Sequence, residues 1–187
     1  MGGREFFETN KGNPQKCKLL QNESAETLAA WENEAVSPES PGIVDDDEML
    51  YQQIVDPTHI NPVEQALMPT AFQDSANKGM SVNRIVHSSL AQLIERGSAR
   101  ATKFNSENPD RPPRTLWGFA KFKARRIREI FDESTQQRAF YVYDTANKDD
   151  PSHADICQGV RDVKQVRRSV RFSLYDLALE PGALEKL

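Results

Sequence analysis

Residues 139–157 read AFYVYDTANKDDPSHADIC and place two patterns side by side. The first seven residues are aromatic and β-branched, which is typical of a strand. A polar turn follows, and then His153, Asp155 and Cys157 occupy every second position. In a strand these three side chains would share one face, whereas in a helix His153 and Cys157 would be neighbours four residues apart. Either structure brings an imidazole and a thiol together.

Segments before this stretch predict both strands and helices. Residues 49–56 (MLYQQIVD) and 79–86 (GMSVNRIV) are rich in β-branched and apolar residues and predict strands. Pro69 keeps the segment ALMPTAFQD extended. A helical face formed by Leu90, Leu93 and Ile94 begins at Ser88 as its cap and ends at Gly97.

The remaining segments complete a mixed pattern. Residues 99–114 are polar, contain three prolines and predict a surface loop. Residues 116–123 alternate as a strand does, and residues 124–131 suit a strand or a helix equally well. Val163, Val166 and Val170 stand at helical spacing. Because strands and helices do not alternate regularly, the sequence predicts one α+β body over residues 49–187.

Residues 1–48 differ from the body in charge and in pattern. Residues 1–75 carry a net charge of −10 and residues 76–187 a net charge of +6, although the whole chain has only −4. Residues 1–22 lack a period, residues 25–35 suit a short helix capped by Ser24, and four successive acids close a turn-rich linker. The segment is therefore predicted to be an acidic, partly disordered N-terminal arm with a short helix.

This arm nevertheless carries large apolar side chains that a solvated tail would not need. We expect them to dock on another chain or across the body, with the tryptophan as a binding hot spot. They are Phe6, Phe7, Leu28 and Trp31.

The alternating polar residues allow a catalytic interpretation and a structural one. As a general base, His153 would need Asp144 or Asp155 to orient its second ring nitrogen, with Cys157, Ser81 or Ser98 as the nucleophile of a hydrolase-type reaction. Alternatively, the histidine is hydrogen-bonded and partly buried beside a small buried cysteine. The chain offers no paired metal-ligand spacing, so we predict neither a metal site nor a cofactor.

Two basic clusters with interleaved phenylalanines predict a different function. Such donors suit phosphates, and aromatic rings stack on bases, so DNA or RNA is a candidate partner. The other interpretation is a solvated face whose positive charges pair with the acidic residues of the arm. The candidate residues are Lys121, Lys123, Arg125, Arg126, Arg128, Arg167, Arg168 and Arg171.

Composition limits the surroundings of the protein. Two cysteines in 187 residues do not provide a secreted disulfide framework, which predicts a reducing, cytoplasmic location. No apolar run approaches the length of a membrane span, and the first residues contain no apolar targeting segment. We therefore expect neither membrane insertion nor export.

The order of four segments carries a resemblance. LYQQIVDP, LMPTAFQD, GMSVNR and YDTANKDDPSHADI resemble a group of small bacterial accessory proteins from conflict or mobile-element gene clusters. That group has an F…(L/M)SV(N/D) segment followed by a PxHA(D/E) segment. The matching positions here are Phe72, Ser81, Val82, Asn83, Pro151, His153, Ala154 and Asp155.

The resemblance and the charge segregation lead to one expected function. They imply an accessory or adaptor subunit of a bacterial multi-protein system, related to antiviral defence, that contacts a larger protein partner. Nucleic-acid binding by the basic clusters and hydrolysis by His153 and Asp155 are the alternatives, and a subunit is expected rather than an enzyme.

Overall fold

The computed structural model describes residues 1–161 and 164–187, and for residues 164–169 it describes the backbone alone. Its α-helices are α1 (Gly3–Thr9), α2 (Lys16–Leu20), α3 (Ala25–Glu32), α4 (Leu90–Glu107), α5 (Ala124–Arg128) and α6 (Lys164–Ala178). Its strands are β1 (Met49–Asp56), β2 (Ile60–Asn61), β3 (Ala66–Leu67), β4 (Met80–Arg84), β5 (Thr115–Lys123), β6 (Phe140–Asp144), β7 (His153–Gln158) and β8 (Leu184–Lys186). Two 3-10 helices cover Pro69–Ala76 and Ile85–His87.

Six strands form one sheet in the order β6-β7-β4-β1-β5-β8. Every neighbouring pair is antiparallel, and β2 and β3 form a separate hairpin. The predicted α+β fold is confirmed. The opening stretch forms β6 and β7, so the strand interpretation of the alternating residues is the correct one.

One face of the sheet carries the main apolar core. Alternate residues of the five longer strands point to this face, as the period of two requires. The first 3-10 helix covers it with Phe72, and α6 covers it with Val170 and Leu174. The rings of Phe72 and Phe122 lie 6.0 Å apart, edge to face.

The opposite face is covered by two separate parts of the chain, helix α4 and the arm. Helix α4 lies against β5, where Gly97 approaches the side chain of Leu116 so closely that a Cβ at position 97 would lie 2.9 Å from a Leu116 methyl group. The helices of the arm cover the other end, over β6 and β7. On this face Ser81 of β4 is exposed and His153 of β7 is half-buried.

The arm docks on the sheet of its own chain. Its apolar side chains form a buried cluster with Tyr141, Tyr143 and Cys157. Glu32, at the end of α3, accepts hydrogen bonds from Arg128 at 3.0 Å, from the backbone nitrogen of Val142 at 2.6 Å and from Arg138. Whether residues 1–48 loosen in the isolated chain stays a prediction.

The prediction that α4 ends at Gly97 and is followed by a loop is wrong. The helix continues to Glu107, and its cap is Ser89, whose side chain forms a capping box with Gln92, rather than Ser88. Gly97 lies inside the helix because the close approach to β5 leaves no room for a side chain.

The segment ALMPTAFQD is extended, as predicted, only at β3 (Ala66–Leu67), and from Pro69 onward it is a 3-10 helix. Pro69 stands at its first position, where a missing backbone N–H costs nothing. The predicted helix near the C-terminus is confirmed as α6, although Val163 and the side chain of Val166 lie outside the described residues. None of the helices in the described part of the chain combines the length and apolar character that crossing a bilayer requires.

Candidate functional site

Two of the three alternating residues of β7, His153 and Asp155, line a cleft between the arm and the sheet. Ala154 and Ile156 point into the main core, so His153, Asp155 and Cys157 face the arm. The cleft has a volume of about 900 Å³. Its walls include Phe7, Lys16, Ser81, Thr145, His153 and Asp155.

A buried ion pair joins the arm to the sheet at this cleft. The Nζ atom of Lys16 lies 2.6 Å from Oδ2 of Asp155, and the two side chains are only 9% and 7% exposed. Burial alone would raise the pKa of Asp155, but the positive charge of Lys16 and its hydrogen bond outweigh it and hold the pKa below its usual value. Burial likewise opposes the charge of Lys16, yet Asp155 raises the pKa of that ammonium group.

The ring of His153 is oriented by Thr145. Its Nδ1 lies 3.2 Å from the backbone oxygen of Thr145 and 2.9 Å from the hydroxyl oxygen of the same residue. Since a carbonyl oxygen only accepts hydrogen bonds, Nδ1 carries the proton in the neutral ring. The unprotonated Nε2 is then an acceptor, 3.9 Å from Oδ1 of Asp155.

Ser81 lies beside this histidine on the neighbouring strand. In the register of β4 with β7, Ser81 is opposite Asp155 and Asn83 is opposite His153, so Ser81 and His153 are diagonal neighbours on the face that lines the cleft. The Ser81 side chain is exposed. Gly79, with a φ of +94°, passes Asp155 so closely that a Cβ there would lie 3.0 Å from its Cγ.

A second buried carboxylate fixes the start of β7. Asp150 accepts hydrogen bonds from Asn83 at 2.9 Å, from Arg96 of α4 at 2.7 Å and from Ser152 at 2.7 Å. This network ties α4, β4 and the turn before His153 together. Because Asn83 lies on β4 and Arg96 on α4, two separate elements hold the turn that precedes His153.

Asp144, the other predicted partner of His153, lies elsewhere. It points to the opposite side of the sheet, where it contacts Arg84 at 3.4 Å and accepts a hydrogen bond from Ser40. Arg84 also pairs with Glu48 at 2.6 Å. Asp144 therefore holds the linker of the arm in place. Of the two predicted partners of His153, Asp155 is the one that lies near it.

The predicted partner-binding side chains are buried within the chain. Phe7 lies 4.7 Å from Tyr143 between ring centroids, and Phe6 lies 5.2 Å from Trp31. Leu28 belongs to the same cluster. Of the two docking modes that the sequence left open, the structure shows the one across the body.

The first basic cluster is paired with acids. Lys123 contacts Asp47 at 2.8 Å, and Arg125 contacts both Asp46 and Asp47. The others pair as Lys121 with Glu185, Arg126 with Glu180, and Arg128 with Glu32 and Asp46. The side chains of Arg167 and Arg168 lie outside the described residues, and Arg171 has an Nε atom with no hydrogen bond to the described part of the chain.

Sequence reasoning missed the two residues that contact Asp155 and His153 in the cleft, Lys16 and Thr145. Lys16 comes from a helix far away in the sequence, and no local pattern links it to Asp155. Thr145 could have been proposed from its position directly after β6, where a side chain can reach back across the turn. Among the described residues, no cluster of His, Cys, Asp and Glu suits a metal ion.

Comparison of the chain with family models, curated proteins and solved structures finds no match. The cleft is therefore interpreted from its own geometry.

Proposed function

We propose that the protein binds a polar small molecule in the cleft between the arm and the sheet, with His153 as its main hydrogen-bonding group. The observation that carries this proposal is the orientation of His153. Its Nδ1 is occupied by Thr145, and Nε2 is left as an acceptor on the wall of a cleft of about 900 Å³. Clefts that hold small ligands range from about 300 to 1,000 Å³ and carry a few fixed polar groups of this kind.

The charges around the cleft favour a neutral or zwitterionic ligand. Four lysines line it, and so do four carboxylates. Lys16 and Asp155 neutralise each other, which leaves the two signs balanced. A polyanion such as a nucleic acid strand would need an excess of positive charge, so this cleft suits a smaller molecule.

A fragment screen observed by NMR tests the proposal. Polar fragments of nucleoside or dipeptide size should shift the imidazole signals of His153, and binding should weaken at least tenfold in His153→Gln. The matched control is His87→Gln, which alters an exposed histidine outside the cleft lining. Fragments that bind both variants equally well, or bind elsewhere only, would count against the cleft.

Hydrolysis is a second candidate function, and the position of Ser81 favours it. A serine nucleophile needs a neighbouring base, and His153 stands at the diagonal position on the adjacent strand. Asp155 would stabilise the imidazolium ion that forms. An activated ester such as p-nitrophenyl acetate should be cleaved by the wild type and by Ser98→Ala, and at least 100-fold more slowly by Ser81→Ala.

The accessory role in a bacterial defence-related assembly also stays a proposal, together with a cytoplasmic location. The apolar anchors of the arm are used within the chain, so a larger protein partner would contact other surfaces, where Val63, Val86 and Phe131 are exposed. Mass spectrometry of proteins that co-purify from the native host tests this role. DNA or RNA binding stays the alternative proposal, and its test is a salt-dependent affinity that Arg167→Ala and Arg168→Ala reduce.

A further inference from the structure

The two cysteines of the chain meet where the arm contacts the sheet. Cys17 lies on α2 and Cys157 on β7. Both side chains are at most 1% exposed, and both belong to the buried cluster that the arm forms with β6 and β7. The sequence contains no other cysteine. Two cysteines that stand far apart in the chain are thus buried in the same cluster.

The contacts around the cysteines fix this arrangement. Lys16 immediately precedes Cys17 in the chain, and Asp155 stands two residues before Cys157. These two flanking residues form an ion pair at 2.6 Å. The backbone nitrogen of Cys17 donates to the carbonyl oxygen of Asn77 at 2.7 Å. Helix α2 is therefore held in one register along β7, which keeps Cys17 and Cys157 in the same buried cluster whenever the arm is docked.

We propose that Cys17 and Cys157 form a reversible intramolecular disulfide that fastens the arm to the sheet. A small-molecule disulfide such as oxidised glutathione is the oxidant. The thiolate of one cysteine attacks it, which forms a mixed disulfide and releases one glutathione thiol. The second cysteine then attacks the mixed disulfide, forms the Cys17–Cys157 bond and releases the second glutathione, so both protons and both electrons reside on the two glutathione thiols.

The burial of the thiols makes arm movement the step that controls this reaction. Burial and the neighbouring Cys17 raise the pKa of the Cys157 thiol, so the reactive thiolate is scarce while the arm is docked. A glutathione molecule reaches the thiols only when α2 lifts from β7. Once the arm has returned, the disulfide is buried and shielded from reduction. The disulfide therefore prevents α2 from lifting from β7 again, and the wall of the cleft that the arm supplies stays in place.

Mass spectrometry of the full chain tests the proposal. The reduced protein is incubated with oxidised glutathione, and its intact mass and its non-reduced peptides are measured. We expect a loss of two hydrogens per chain and a peptide that links Cys17 to Cys157. The melting temperature should rise by roughly 5 to 10 °C, because a bond that closes so long a loop restricts the unfolded chain.

Two comparisons make the result decisive. Cys157→Ala should stop at a glutathione adduct on Cys17 and show no rise in melting temperature, while the same treatment in urea should modify both cysteines of the wild type. The proposal is overturned if the native wild type ends as separate glutathione adducts, as disulfide-linked dimers, or fully reduced. The wild-type masses decide the matter even where the variant does not fold.

Discussion

Asp155 and Lys16 form the pair of residues on which the cleft depends. Each charge has left water almost completely, and each keeps its charge because the other lies 2.6 Å away. The pair holds α2 against β7 and places a fixed dipole beside His153. A buried pair is stabilising only while both partners are present, since either one alone is an uncompensated charge.

Removal of the carboxylate should therefore cost much more than removal of a surface charge. We predict that Asp155→Asn lowers the free energy of unfolding by about 3–5 kcal/mol, measured by urea unfolding. The control is Asp74→Asn, which breaks a solvent-exposed pair with Lys78 and should cost less than about 1 kcal/mol. Equal losses in the two variants would show that the Lys16 pair is not buried in solution.

The same pair predicts a dependence on pH. The folded-state pKa of Asp155 lies below its unfolded value, so its stabilisation is present above about pH 4, the unfolded pKa of an aspartate, and is lost as the pH falls through the folded pKa. The stability difference between the wild type and Asp155→Asn should therefore shrink as the pH is lowered from about 5 to about 3. A difference that grows on acidification would contradict the assignment.

At the scale of elements, the edge strand β8 depends on a close backbone contact with β5. A Cβ at Gly118 would lie 2.0 Å from the backbone oxygen of Glu185, which cannot move without breaking the pairing. This glycine is therefore required for the sixth strand of the sheet.

We predict that Gly118→Ala releases β8 and costs about 1–3 kcal/mol of stability. Amide hydrogen exchange should show faster exchange in residues 184–186 while β6 and β7 remain protected. Gly2→Ala is the matched control, because a Cβ at that position meets nothing within 4 Å. Unchanged protection of β8 in Gly118→Ala would disprove the close contact.

The elements differ in how far their sequences predict them. The strands β6 and β7 follow from aromatic and alternating residues, which is a local pattern. The length of α4 could not be predicted, because Gly97 serves a tertiary contact with Leu116 although it has the signature of a helix end. The pairs of Lys16 with Asp155 and Glu32 with Arg128 have no local signal at all, so the sequence predicted His153 and Asp155 but not the cleft around them.

At the scale of the whole molecule, the arm and helix α4 together cover the face of the sheet opposite the main core. The charge difference between the two halves of the sequence has a structural counterpart in the pairs that join Glu32, Asp46 and Asp47 to basic residues of β5 and α5. The cleft exists only while this cover is in place, since α1 and α2 supply one of its walls.

Trp31 should be the main apolar anchor of this cover. It is buried against Phe6, so we predict that Trp31→Ala costs about 3–5 kcal/mol or undocks the arm, which limited proteolysis would detect as early cleavage within residues 1–48. Phe131→Ala removes an exposed ring and should leave stability within about 0.5 kcal/mol of the wild type. If Trp31→Ala has the stability of the wild type and is not cleaved early within residues 1–48, Trp31 does not anchor the arm.

Hydrogen exchange of the isolated, full-length wild type tests the central claim most directly, namely that the arm docks on the sheet and encloses the His153 cleft. The amides of α1 and α3 should exchange many times more slowly than in an unfolded chain, and Asp155→Asn should accelerate them more than it accelerates those of β1 and β5. Exchange of residues 3–32 at the rate of an unfolded peptide, beside a protected sheet, would contradict the docked arm and with it the cleft.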